Sequence, residues 1–127
     1  VLAGLAVARH AWLVVLACDA PLIERGLLEQ LLSVAVTGDC AAMVRQGQQW
    51  QPMFCVIPVR QQASLQAAWQ AGERSLLRAL LEHPLQAVEC AEEDRRLSYW
   101  ALSHSKLQPD FHDPACFRIR FGAAAGL

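Results

Sequence analysis

The sequence predicts an α/β domain built on a mostly parallel sheet. Short apolar runs that contain β-branched residues alternate with longer segments whose apolar residues recur at helical spacing, a pattern typical of strand–helix–strand units. The first strand-like run is apolar throughout, as expected for a strand that is buried on both faces. With 127 residues, of which 54% are hydrophobic, the chain suits one domain with its own core and is too apolar to be intrinsically disordered.

The chain begins with a predicted helix and a predicted strand. Leu2–His10 is apolar on all sides and rich in alanine, which indicates a short buried helix. Trp12–Leu16 is a compact apolar run followed by Cys-Asp-Ala-Pro, which indicates a strand and a turn. Pro21 can stand at the start of a helix without losing a hydrogen bond. The leucines of Ile23–Val36 share one face, so we expect a helix that ends near Gly38.

The rest of the chain contains three more predicted strands and two more predicted helices. The strands are Ala41–Val44, Met53–Val59 and Leu85–Cys90, and the helices are Gln62–Ala71 and Ser75–His83. A polar Gln-Gly-Gln-Gln turn follows the first of these strands. Pro52 and Pro58 are expected to flank the second strand, where a missing backbone donor does least harm. Ser75 is the expected N-cap of the last helix.

Charge, hydropathy and cysteine content exclude several classes of protein. Eleven basic and twelve acidic residues give a net charge of −1, so we expect no nucleic-acid partner and interpret the tryptophans as packing residues, with Trp50 beside a predicted turn as the exception. The longest apolar run, Ala11–Cys18, is far shorter than the roughly 20 residues that cross a membrane. The five cysteines form no Cys-x-x-Cys pair, which predicts reduced, mostly buried thiols in a cytoplasmic protein.

Asp19 is the strongest candidate for a functional residue. It follows the predicted strand Trp12–Leu16, and ligands of open parallel sheets bind beyond the carboxyl ends of the strands. A carboxylate at that position suits Mg²⁺ and the phosphates of a nucleotide. The alternative is structural, because an aspartate before Ala-Pro also caps turns.

Three short motifs follow one another along the chain: Cys-Asp-Ala-Pro-Leu after the first strand, then Gln-Pro-Met-Phe, then Gly-Glu-Arg. Together they resemble motifs of the molybdenum cofactor guanylyltransferases, and Cys-Asp-Ala-Pro-Leu is similar to the second acidic motif of that family. The matching segments are residues 2–4, 18–22, 51–54, 71–75 and 87–90. Their order and spacing agree with the family over about residues 2–90.

The resemblance implies a Rossmann-like three-layer nucleotidyltransferase fold and a reaction that transfers GMP from GTP to the molybdopterin cofactor, with release of pyrophosphate. In such an enzyme Asp19 would be catalytic and would bind Mg²⁺ and the nucleotide phosphates. Arg74, Glu73 and Pro52 would bind the molybdopterin substrate. A guanidinium such as that of Arg74 can hold phosphate oxygens in a bidentate manner, and Glu73 would orient it.

The chain also departs from the family pattern. The glycine-rich Leu-x-Gly-Gly-x-Ser-x-Arg-Met-Gly-x-Asp-Lys loop and the Asn-x-Asn-Thr-Pro segment are absent from the sequence. The resemblance therefore implies a partial domain over residues 1–107 that lacks the N-terminal strands, an unassigned tail over residues 108–127, and no activity for this chain alone. Two alternatives stay open. One is a cytidylyltransferase acting on the same cofactor, and the other is a non-catalytic remnant that binds a molybdoenzyme, a chaperone or a fused neighbour.

Overall fold

The computed structural model describes residues 1–20 and 22–97, in which helices and strands alternate. The helices are α1 (Leu2–Val7), α2 (Arg25–Gly38), α3 (Gln62–Gln70) and α4 (Leu76–Leu81), and the strands are β1 (Trp12–Leu16), β2 (Ala41–Gln46), β3 (Gln49–Pro58) and β4 (Leu85–Cys90). Single 3₁₀ turns occupy Val59–Gln61 and Arg95–Leu97. The predicted tail over residues 108–127, the end of the predicted partial domain and Pro21 lie outside the described residues.

The described strands form one mixed sheet in the order β1–β3–β2–β4. β1, β2 and β4 point the same way, but β3 is antiparallel to both of its neighbours, so only the β2–β4 pair is parallel. The expected mostly parallel sheet is therefore correct only in part. The cause is the connection between β2 and β3, which consists of Gly47 and Gln48 at φ values of 51° and 69°. A turn of two residues with positive φ joins antiparallel strands and cannot make a parallel crossover.

Helices cover both faces of the sheet, which gives the three layers expected from the sequence. One core lies between α2 and the sheet, and the other lies between the sheet and α1, α3 and α4. Successive residues of each strand contribute to opposite cores because strand side chains alternate between faces. The largest fully buried side chains include Phe54, Leu27, Leu31, Met43, Ile57 and Leu80. Among residues 1–20 and 22–97, no helix is long and apolar enough to cross a membrane.

The ends of several elements confirm or correct the sequence-based bounds. β1 and β4 coincide with the predicted strands, and Ser75 is the N-cap of α4, where its Oγ accepts a hydrogen bond of 3.2 Å from the backbone N–H of Arg78. α1 is shorter than predicted. It ends at Val7, which is 76% exposed, and the backbone turns to an extended conformation at Ala8, so the segment is not buried on all sides.

β3 is longer than predicted, and Pro52 lies within it rather than before it. The strand begins directly after the turn, because its polar first residues pair with the end of β2. The register then shifts, so that Val44 pairs with Gln51 whereas the preceding Met43 pairs with Cys55. Pro52 belongs to the resulting bulge. A proline has no N–H to donate, and a bulge is a position where the ladder does not need one.

The four described cysteines are free thiols in different environments. Cys40 and Cys55 are buried, Cys90 is half-buried, and Cys18 is exposed next to Asp19. Burial raises the pKa of the Cys55 thiol to about 12, so this thiol stays protonated at neutral pH. The expectation of mostly buried thiols therefore holds for two of the four.

Candidate functional site

The carboxyl ends of β1, β2 and β4 lie at one edge of the sheet, and Asp19 and Pro52 are both found there. Because β3 runs in the opposite direction, its first half lies at the same edge. The backbone N–H of Ala17 donates to the carbonyl of Met53 over 2.9 Å, which fixes the segment after β1 beside the bulge. Asp19 is exposed in the turn that follows. The structure therefore places an accessible carboxylate at the edge where open α/β sheets bind ligands.

Asp19 fits one type of metal site and not another. Within residues 1–20 and 22–97, no group of three or more His, Cys, Asp or Glu side chains could enclose a metal ion. Such a group would be needed for a site built by protein ligands alone. Mg²⁺ has different requirements, since it keeps several waters and is commonly bound through one or two carboxylates together with the phosphates of a substrate. The single carboxylate of Asp19 suits an ion that arrives with a nucleotide.

A row of three side chains crosses the same edge of the sheet. Glu89, Arg45 and Trp50 occupy neighbouring positions on β4, β2 and β3. The Nε of Arg45 donates to the Glu89 carboxylate over 2.7 Å, its Nη2 donates to the same oxygen, and its guanidinium carbon lies 5.2 Å from the centre of the Trp50 ring. The ion pair is partly exposed, so we expect it to contribute at most about 1 kcal/mol. Its main effect is to fix the direction of an arginine at the candidate site.

Glu73 and Arg74 lie in the turn between α3 and α4. Oε1 of Glu73 accepts a hydrogen bond of 2.8 Å from the backbone N–H of Ser75, and this bond holds the pKa of the carboxyl below its ordinary value. Nη1 of Arg74 donates to the carbonyl of Trp69 over 2.7 Å and to that of Glu73 over 3.2 Å. The carboxylate of Glu73 thus holds the start of α4, and backbone carbonyls orient Arg74 in place of the expected Glu73 carboxylate.

Trp69 is a candidate site residue that the sequence does not single out. The guanidinium carbon of Arg74 lies 3.8 Å from the centre of the Trp69 ring, a cation–π contact, and Trp69 is 48% exposed. Nε and Nη2 of Arg74 make no hydrogen bond with the residues that the structure describes. No local signal in the sequence identifies this contact, because it depends on how the turn that contains Gly72 closes.

The Trp69–Arg74 pair borders a cavity of about 490 Å³ between α1, α3 and α4. Its walls are mostly apolar, with Glu73 and Ser75 adding polar groups; the apolar lining residues are Val1, Leu2, Ala3, Leu65, Ala68, Leu76 and Ala79. Asp19 and Pro52 do not line this cavity. The structure therefore separates the four predicted residues into two groups, Asp19 with Pro52 at the sheet edge and Glu73 with Arg74 beside the cavity.

Residues 1–88 match the family model of the MobA-like NTP transferase domain. This match covers more than half of the chain and includes all four predicted site residues. The chain belongs to the MobA-like NTP transferase family. Every described strand up to Val88 in β4 lies within the matched region, so the match applies to the sheet as well as to the candidate site.

Curated relatives of this MobA-like chain carry one name. A Pseudomonas putida protein is 65% identical over 98 residues, which are 77% of this chain and 51% of that protein. A Pseudomonas entomophila protein is 63% identical over 99 residues, which are 77% of this chain and 52% of that protein. Both are named "Molybdenum cofactor guanylyltransferase". This chain spans about half the length of the curated relatives that it matches.

Two solved structures share the fold of this MobA-like chain. A protein from Aquifex aeolicus superposes with a TM-score of 0.67 at 16% identity, covering 77% of this chain and 52% of that one. The molybdopterin-guanine dinucleotide biosynthesis protein A of Archaeoglobus fulgidus superposes with a TM-score of 0.57 at 24% identity, covering 76% and 49%. At these identities the likeness shows the fold alone, and it confirms the predicted α/β class.

Proposed function

We propose that this chain forms part of a molybdenum cofactor guanylyltransferase, which transfers GMP from GTP to molybdopterin and releases pyrophosphate. The observation that carries this proposal is the 63–65% identity, over about three quarters of the chain, with relatives of that name. The name of these relatives favours a guanine nucleotide over the cytidylyltransferase alternative. The accessible carboxylate of Asp19, beyond the carboxyl end of β1, supports the proposal.

Asp19 is the residue that we assign to Mg²⁺ and, through it, to the nucleotide phosphates. When bound, the ion neutralises charge on the triphosphate and on the departing pyrophosphate. The contribution of Asp19 is one oxygen ligand in a defined place, because the hydrogen bond from Ala17 to Met53 fixes the strand end that precedes it. Pro52, in the neighbouring bulge, would then border the molybdopterin substrate without offering it a backbone donor.

Arg74 is the residue that we assign to the phosphate of molybdopterin. Its stacking on Trp69 and its bonds to two backbone carbonyls hold the guanidinium in one orientation. Nε and Nη2 make no hydrogen bond with described residues and are available to phosphate oxygens in this proposal. Glu73 acts indirectly, since its bond to the Ser75 amide fixes the turn that carries Arg74.

We further propose that this chain does not complete the reaction by itself, because its sequence contains no glycine-rich phosphate loop with its lysine. The alternative of a non-catalytic remnant that binds a molybdoenzyme or a chaperone stays a prediction. We expect the protein to work in the cytoplasm, where reducing conditions keep an exposed thiol such as that of Cys18 free.

A chimeric enzyme tests the proposed reaction. The 98 residues of the Pseudomonas putida relative that match this chain are replaced by those of this chain, and pyrophosphate release is measured with GTP, Mg²⁺ and molybdopterin. We expect an active chimera in which Asp19→Asn lowers kcat/KM by ~100-fold or more. Asp39→Asn is the matched control, because Asp39 is an exposed carboxylate at the end of α2, and it should leave kcat/KM unchanged.

Two results would contradict the proposal. A folded chimera without transferase activity would show that these residues do not support the reaction. Full activity in Asp19→Asn would show that the carboxylate is not the metal ligand. Calorimetry with this chain alone, GTP and Mg²⁺ provides a separate check, for which we expect a Kd above ~1 mM, weaker than about 4 kcal/mol.

A further inference from the structure

Glu89, Arg45 and Trp50 form a row of side chains that the proposed reaction does not yet use. The row lies on the side of the sheet that α1, α3 and α4 cover, because strand side chains alternate between faces and Arg45 follows the buried Met43 by two residues. Trp50 packs against the same core.

The row is close to the strand end that precedes Asp19. That end is held by the hydrogen bond from Ala17 to the carbonyl of Met53, and Trp50 stands three residues before Met53 on β3. At about 3.3 Å per residue, Trp50 and Met53 are at most ~10 Å apart along the strand. A substrate of the size of a nucleotide or a pterin can span this separation.

Arg45 and Glu89 retain hydrogen-bonding groups that a ligand can use. Nε and Nη2 of Arg45 both donate to Oε1 of Glu89. Nη1 of Arg45 and Oε2 of Glu89 make no hydrogen bond with the residues that the structure describes, and the two side chains are 39% and 57% exposed. Nε2 of Gln46 donates to the carbonyls of Ala91 and Glu92, which fixes the end of β4 that carries Glu89. The row thus presents a donor and an acceptor to solvent from fixed positions.

The charges of the row favour a neutral ligand over a phosphate group. Glu89 neutralises Arg45, and its remaining oxygen would repel an anion. The guanidinium of Arg74, in contrast, bonds to backbone carbonyls alone among the described residues, which suits an anion. A flat, neutral ring with donors and an acceptor along its edge matches the row, because an aromatic side chain such as Trp50 binds such a ring by stacking.

We propose that Trp50, Arg45 and Glu89 bind a 2-amino-4-oxopyrimidine ring, which is the ring that pterins share with guanine. Trp50 contacts the face of the ring, Oε2 of Glu89 accepts from its N–H or amino group, and Nη1 of Arg45 donates to its carbonyl oxygen. The inference deepens the proposed function and rests on it, because GTP and molybdopterin, the substrates of that reaction, both contain this ring.

Equilibrium dialysis of the 127-residue chain with small ligands tests the inference. The two sources of the ring are represented by 6-hydroxymethylpterin and guanosine. Each has an analogue without the 2-amino group, namely 6-hydroxymethyllumazine and inosine. We expect each analogue to bind at least ~10-fold more weakly than its parent, because it cannot donate the amino hydrogen bond to Glu89. We also expect the pterin to bind more tightly than guanosine, which would assign the row to molybdopterin, whereas the reverse order would assign it to GTP.

Substitutions in the row separate recognition of the ring from stability of the sheet. Glu89→Gln should reduce the preference for the amino compound to less than ~3-fold. Glu29→Gln is the matched control, because Glu29 pairs with Arg25 on the surface of α2, and it should leave the preference unchanged. Trp50→Leu should weaken binding of parent and analogue equally, by at least ~10-fold, and Trp50→Phe should restore most of the affinity. Circular dichroism checks that each variant is folded.

Two results would overturn the inference. One is that neither parent compound binds this chain at concentrations up to ~1 mM. The other is an unchanged preference in Glu89→Gln, which is the result expected of an ion pair that only stabilises the sheet. None of these measurements needs GMP transfer, so an inactive chimeric enzyme would contradict the proposed reaction separately.

Discussion

Gly47 lies in the β2–β3 turn and against Glu92 in the loop that follows β4. Replacing Gly47 with alanine should therefore disturb both the turn and the loop. Its φ of 51° lies in the left-handed region, where a side chain adds about 1–2 kcal/mol of strain. A Cβ built at Gly47 would lie 2.6 Å from Oε1 and 2.7 Å from Cδ of Glu92. The backbone of Glu92 is held in place, because Nε2 of Gln46 donates to its carbonyl over 2.8 Å and to that of Ala91 over 3.0 Å.

The loss of unfolding free energy caused by Gly47→Ala has two contributions that can be measured separately. The backbone strain of about 1–2 kcal/mol belongs to position 47 alone. The overlap forces the Glu92 side chain out of its rotamer, which adds about 0.5–1.5 kcal/mol. Glu92→Ala removes the overlapping atoms, so the second term should vanish when both substitutions are present. A double-mutant cycle should therefore give a coupling free energy of about 0.5–1.5 kcal/mol.

Urea unfolding of the four proteins measures this coupling. Gly72→Ala is the control, because Gly72 also has a positive φ, of 100°, but a Cβ there would meet no atom within 4 Å. Its destabilisation should be the same with and without Glu92→Ala. Additivity of Gly47→Ala and Glu92→Ala within about 0.3 kcal/mol would refute the proposed contact between the turn and the loop.

Three further predictions test other parts of the structure. Gly26→Ala, in a helix position open to solvent, should raise the free energy of unfolding by about 0.5–1 kcal/mol in urea titrations. Leu31→Ala, at a fully buried position, should lower it by about 2–5 kcal/mol, whereas Val36→Ala on the same helix should change it by less than about 0.5 kcal/mol. Because the pKa of Glu73 is lowered on folding, its stabilising effect is present above the ordinary value of 4.5 and is lost as the pH falls through the lowered value. The difference in unfolding free energy between wild type and Glu73→Gln should therefore close in acid.

The strands that could be predicted from the sequence are those whose ends are marked locally. β1 is a compact apolar run that ends before Cys-Asp-Ala-Pro, and β4 begins directly after Pro84. The structure has the predicted bounds for both strands. The first residues of β3 are polar, and they become strand only because β2 is beside them to pair with. The bulge at Pro52 likewise depends on pairing with two different strands, which no local pattern specifies.

The direction of β3 has a signal in the sequence that outweighs the general α/β pattern. Only Gly47 and Gln48 separate β2 from β3, and a connection of that length excludes a parallel crossover. Alternation of strands and helices favours parallel pairing, but it applies to strands joined through a helix, such as β1 and β2. The two-residue connection makes β2 and β3 antiparallel, and the helical connection makes β1 and β2 point the same way, so the result is a mixed sheet.

The position of one candidate residue could be predicted from the sequence, and the contacts of another could not. The position of Asp19 beyond the end of β1 follows from the order of strand, turn and helix. The partners of Arg74 do not, because they depend on how the α3–α4 turn closes around Gly72, whose φ is 100°. Trp69 could be identified as a contact of Arg74 only once that turn was known.

The short β2–β3 turn also sets an order in which the sheet can assemble. A hairpin with two connecting residues forms within about 1–10 μs. The other two pairings join distant segments, about 40 residues apart for β1 with β3 and 44 apart for Arg45 with Glu89, and closing such long loops makes them slower. We therefore expect β2 and β3 to nucleate folding and β1 and β4 to join later. The aspartate-bearing strand end would be among the last parts of the molecule to become ordered during folding.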